Sequence, residues 1–100
     1  METFNLNFKI SDIEYYLPQT VIDNQLLSSR YPEWNENKIY EKTGIRSRHV
    51  VNNDEHVSDL AVNAAKKIIE RGSIQPSEID ALILCTQTPD YALPGSSYIV

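Results

Sequence analysis

Between positions 38 and 48 the sequence sets Lys38, Lys42, Arg46 and Arg48 against a single carboxylate, Glu41, although the chain as a whole carries a formal net charge of −5. Trp34 precedes this cluster, and Trp34, Lys38 and Lys42 are spaced i, i+4 and i+8, one face of a helix. An indole beside ammonium or guanidinium groups can stack a heterocycle while the cations hold phosphates, which suits a nucleotide-containing ligand. A charge-paired, solvated face with a half-buried tryptophan fits the same spacing, and the pattern alone leaves both open.

The other reactive side chains carry less. Cys85 closes the apolar run Ala81-Leu82-Ile83-Leu84-Cys85. Burial there raises a thiol's pKa, so Cys85 is expected to be a structural core residue rather than a nucleophile. His49 and His56 share no helical spacing and have no cysteine or acidic cluster to join, so they read as solvated or strand-edge histidines and no metal site is expected. The glycines stand apart at 44, 72 and 95, which excludes a glycine-rich phosphate loop, and there is no G-x-S-x-G elbow.

Composition narrows the class further. With 41% hydrophobic and 23% charged residues, the 100-residue chain is expected to be one globular unit with a modest core. Its acidic balance argues against non-specific binding to nucleic acid or anionic membranes, so any anion site must be local. One cysteine excludes an intrachain disulfide framework and points to a reducing compartment, the cytoplasm. The amino terminus has no basic, apolar signal pattern, and the longest apolar run is far short of the roughly 20 residues a bilayer requires.

The elements that would position these residues follow from periodicity. Phe4, Leu6, Phe8 and Ile10 alternate with polar residues, as in a strand buried on one face. Asp23 or Asn24 can cap a short helix through Leu27 that Pro32 closes, and a second helix is expected from Pro32 to Lys42 with Gly44 as its stop. Ile45–Val51 reads as a short strand or extended arm. Val57, Leu60, Ala61, Ala64 and Ile68 then mark an amphipathic helix ending at Gly72. The run 81–85 is expected to be a parallel strand covered on both faces, so the class is α/β. Pro89-Asp90 and Pro94-Gly95 punctuate a loop beyond it, where open α/β sheets place ligands, and Ser96–Val100 reads as the start of a helix. Because a domain seldom stops at the first turn of an apolar helix, the chain is expected to be part of a longer protein.

In this order, Tyr16-Leu17-Pro18, Glu33-Trp34, Lys42-Thr43-Gly44-Ile45-Arg46-Ser47-Arg48-His49, Val57-Ser58-Asp59-Leu60-Ala61 and Thr86-Gln87-Thr88-Pro89-Asp90-Tyr91-Ala92-Leu93-Pro94 resemble the start of the 3-oxoacyl-acyl-carrier-protein synthase III family. The resemblance covers nearly all of the chain. It implies the thiolase-like fold, a mixed sheet with covering helices, incomplete here: residues 1–100 would be the amino-terminal portion of its first half. It also implies a homodimeric acyltransferase that takes an acyl group from coenzyme A onto a cysteine. That acyl group is then joined to malonyl-acyl-carrier protein with loss of carbon dioxide, in fatty-acid or related acyl-chain synthesis, with coenzyme A thioester as substrate and no covalently bound cofactor.

Within the family the cysteine, histidine and asparagine that do the chemistry lie beyond Val100, so no catalytic residue is expected in this chain and it should be inactive alone. Trp34 corresponds to the tryptophan that stacks on the coenzyme A adenine, although the stretch from Trp34 to Thr43 is longer than in the best-known members. Lys42 stands where many members have an arginine contacting coenzyme A or carrier protein, and Arg46 belongs to the same binding set. Leu93 falls where one subunit reaches across the dimer into its partner's acyl pocket. Related condensing enzymes of secondary metabolism and hydroxymethylglutaryl-coenzyme A synthases are the neighbouring readings. A small noncatalytic α/β interaction module is the reading from another class.

Overall fold

A computed structural model describes residues 7–100. Strand β1 (Thr20–Asp23) pairs antiparallel with β2 (Ser47–Val50), in the register Thr20 with Val50, Val21 with His49, Ile22 with Arg48 and Asp23 with Ser47. The connection between them folds into two short helices, α1 (Asn24–Arg30) and α2 (Glu36–Thr43). A third helix, α3 (Val57–Glu70), follows β2, and single 3-10 turns occupy Pro76–Glu78 and Ser96–Tyr98.

Each helix starts and stops where local chemistry requires. Of the two expected caps for α1, Asp23 does the work, its carboxylate accepting from the Leu26 N–H at 2.8 Å. The helix ends at Tyr31, whose N–H donates to Leu27 O at 2.8 Å. Pro32 cannot continue it. Helix α2 begins later than the sequence suggests, because the Asn35 side chain caps it by accepting from the Asn37 and Lys38 N–H groups. It ends at Gly44, where φ is +68°, a left-handed conformation that glycine takes without a Cβ penalty. At the start of α3 the His56 N–H donates to Asp59 at 2.8 Å, and Gly72 beyond its end also has a positive φ of 78°.

One polar side chain joins the strands to the helices. Asn24, only 3% exposed, donates through Nδ2 to Ile45 O at 2.8 Å and accepts from Arg48 Nη2 at 2.7 Å. A buried amide satisfied on both sides fixes the angle at which α1 leaves the sheet and α2 returns to it.

One expected strand does not form, and the described part of another makes no pairing. Residues 7–10 make no strand pairing, and Phe8 and Ile10 are exposed; positions 4 to 6 of that expected strand lie outside the described residues. The run 81–85 is irregular, with Ile83 95% exposed and Cys85 exposed as well, so the expectation of a buried Cys85 is corrected. The reason is physical: a strand requires a neighbour for its N–H and C=O groups, and a doubly covered strand also requires layers on both faces. The only sheet among the described residues is the two-stranded antiparallel pair.

For the same reason no apolar side chain among the described residues is fully buried. The accessible surface is 8884 Å², whereas a folded monomer of this mass has about 5,800 Å². The radius of gyration is 18.7 Å, against about 13 Å for a 100-residue domain. The two-stranded sheet with its helical hairpin is the ordered unit that positions the candidate site.

Candidate functional site

Along α1, the turn after it and α2, Leu27, Glu33, Trp34, Asn35, Lys38, Ile39, Lys42 and Thr43 line a groove of about 340 Å³. Leu27 of α1 and Ile39 of α2 contribute apolar lining. Lys38 and Lys42, one turn apart, set two ammonium groups along one wall. Trp34 lines the same groove and is half exposed. A flat aromatic surface and two cations beside an apolar lining can take a ligand with a heterocycle and anionic groups.

The expected grouping of Trp34, Lys38 and Lys42 is therefore present, by a different route. Trp34 lies in the turn before Asn35, outside α2, and its N–H donates to Tyr31 O at 2.8 Å. Its ring stacks on Tyr31, with centroids 4.8 Å apart and planes inclined at 29°. Tyr31 was not among the candidate residues, and its signal was the i, i+3 spacing of two aromatics around Pro32, which favours a turn.

The four-cation cluster does not stay together. Arg46 sits with its guanidinium carbon 4.2 Å from the centre of the Tyr40 ring, beside a separate, smaller cleft formed with Asn24, Glu36 and Asn37. Arg48 turns inward to Asn24 and also donates to Ile22 O at 3.4 Å. Of the expected binding residues, the structure brings Trp34 and Lys42 into one groove and places Arg46 outside it.

The loop carrying Leu93 is anchored at the start of α3. The Asp90 carboxylate accepts from the Ser58 N–H at 3.1 Å and from the Ser58 hydroxyl, while the Asp90 N–H donates to Ser96 Oγ at 3.0 Å. Ser58 and Ser96 are 5% and 4% exposed. The Ser58 hydroxyl bond is the main cause that holds the Asp90 carboxyl below its usual value, with the Ser58 N–H acting the same way. Between these two ties Leu93 projects outward, 87% exposed.

His49 Nδ1 lies 2.6 Å from Pro18 O, and His56 3.6 Å from Asp59 at the head of α3. Among the described residues no three of histidine, cysteine, aspartate and glutamate gather as metal ligands, and no helix is long and apolar enough to cross a membrane. Cys85 is a free, exposed thiol.

No family model matches the chain. Curated proteins do. It is 38% identical over 89 residues to the beta-ketoacyl-[acyl-carrier-protein] synthase III of Lactococcus lactis subsp. cremoris (strain MG1363), a match covering 89% of this chain and 27% of that protein. It is 42% identical over 85 residues to the protein of the same name from Hyphomonas neptunium, covering 85% of this chain and 26% of that protein. A crystal structure of 3-oxoacyl-(acyl-carrier-protein) synthase III superposes with a TM-score of 0.82 and 43% identity, over 90% of this chain and 27% of that one. The chain thus spans about a quarter of the length of the proteins it matches. In sequence and in backbone it is a relative of the 3-oxoacyl-(acyl-carrier-protein) synthase III proteins and matches the amino-terminal part of their thiolase-like fold.

Proposed function

We propose that the chain is the amino-terminal portion of the first half of a 3-oxoacyl-acyl-carrier-protein synthase III, an acyltransferase of fatty-acid or related acyl-chain synthesis. The reaction runs in two steps. A cysteine thiolate outside this chain attacks the acyl-coenzyme A carbonyl, forming an acyl thioester and releasing coenzyme A thiol. Loss of carbon dioxide from malonyl-acyl-carrier protein then leaves a carbanion that attacks this thioester, giving 3-oxoacyl-acyl-carrier protein and returning the cysteine.

The chain's own contribution is to bind rather than to react. Trp34 stacks the adenine of coenzyme A, and Lys42, with Lys38 beside it, holds phosphate. Arg46, next to Tyr40, belongs to a second surface, available to carrier protein. Leu93, held out by the Asp90 ties, enters the acyl pocket of the other subunit of a homodimer, where an aliphatic side chain shapes the primer chain accepted. Cys85 has no part in the reaction. A cytoplasmic location goes with these substrates, and neither a covalently bound cofactor nor a nucleic-acid partner is needed.

The observation that carries this reading is that Trp34 and Lys42 share one groove in a chain that superposes on a synthase III structure over 90% of its length. The test is to incubate the natural protein carrying this chain with acetyl-coenzyme A and malonyl-acyl-carrier protein. The expected result is one carbon dioxide released per 3-oxoacyl-acyl-carrier protein formed. Absence of condensation with acetyl-, branched and longer acyl-coenzyme A donors would contradict it.

A further inference from the structure

Tyr31 lies against Trp34 but not in the groove. It closes α1 with its N–H on Leu27 O and accepts the Trp34 N–H through its carbonyl, both at 2.8 Å, and its ring stacks on the indole at 4.8 Å. Pro32, between them, has a fixed φ and no N–H, so this turn has little freedom to rearrange. Three constraints therefore act on one side chain: a backbone hydrogen bond, a rigid turn and a ring covering one face.

The consequence concerns ligand binding. A half-exposed tryptophan on a free turn would sample several rotamers, and ordering it would oppose binding. Stacking on Tyr31 selects one orientation in advance and leaves the indole available to the groove that Lys38 and Lys42 line. We propose that Tyr31 is a positioning residue, a backing plate that presents the Trp34 ring to the purine of a phosphorylated nucleotide whose anionic groups meet Lys38 and Lys42. This rests on the reading of the groove as a nucleotide site. Tyr31 acts on affinity through Trp34 without touching the ligand.

The natural protein carrying this chain is titrated calorimetrically with adenosine 3′,5′-bisphosphate, as wild type, Tyr31→Ala and Tyr31→Phe, with helix content checked by circular dichroism. An aromatic stack contributes about 0.5–1.5 kcal/mol, so Tyr31→Ala should raise the half-saturating concentration about 2- to 12-fold. Tyr31→Phe, which keeps the ring, should stay within about twofold of wild type, a rescue that a loss of fold would not give. Wild-type affinity in Tyr31→Ala, or equal weakening in Tyr31→Phe, would overturn the role of the stack while leaving the groove as the site. No saturable binding by the wild-type natural protein would overturn the nucleotide reading itself, and the inference with it.

Discussion

Arg46 holds its guanidinium carbon 4.2 Å from the centre of the Tyr40 ring, while Lys42, two residues along α2 from Tyr40, faces the groove beside Trp34. At 100° per residue Tyr40 points about 160° away from both Lys38 and Lys42, which share a face. Cations four residues apart in sequence therefore serve different surfaces. Lys42→Ala and Lys38→Ala in the natural protein should each weaken coenzyme A binding by about 0.5–1.5 kcal/mol, and more at low salt. Arg46→Ala should change it less than about twofold, because its cation–π contact is made within the chain. Calorimetric titration of the three variants at two salt concentrations checks this, and equal losses in Lys42→Ala and Arg46→Ala would contradict the division.

The Ser58–Asp90 tie has a definite pH dependence. Hydrogen bonds from Ser58 lower the Asp90 pKa below its model-compound value of 3.8. A carboxyl depressed by folding adds stability above its unfolded pKa and loses that contribution as pH falls through its folded value. The 86–96 loop should thus stay docked on α3 from neutral pH down to about 4 and release below that. Carboxyl titration by NMR should give an Asp90 midpoint below 3.8 that returns toward 3.8 in Ser58→Ala. A midpoint at or above the reference value would remove the tie.

Exposed apolar side chains dominate the rest of the molecule. Phe8, Ile83, Leu93 and Tyr98 are each more than 85% exposed. Patches of this kind mark surfaces meant for another chain or segment. At concentrations above the micromolar range the 100-residue chain should self-associate and enhance the fluorescence of a hydrophobic dye. A dye-silent monomer by sedimentation across that range would contradict the exposure.

Local signals were the legible part of the sequence. Helix α3 followed from its apolar stripe, α1 from a cap and a proline, and the end of α2 from Gly44, because each depends on residues within a turn or two. The groove was legible as a spacing, although Trp34 reaches it from the turn before the helix. Less legible were features made by distant residues: Asn24 joining Ile45 and Arg48, or Asp90 closing on Ser58. No periodicity encodes those. The strand expected at 81–85 failed for the complementary reason. Its apolar run states what it would bury, but a strand forms only against neighbours, and here Ile83 and Cys85 face solvent.

The most direct measurement is photolabelling of the natural protein with an 8-azidoadenine derivative of coenzyme A, followed by peptide mapping. A nucleotide held against Trp34 places the adenine at the turn joining α1 and α2. The label should fall on the peptide spanning Tyr31 to Lys38, and excess coenzyme A should suppress it. Suppressible labelling confined to the Tyr40–Arg46 surface, or lying wholly outside residues 27–43, would show that the Trp34–Lys42 groove is not where coenzyme A binds.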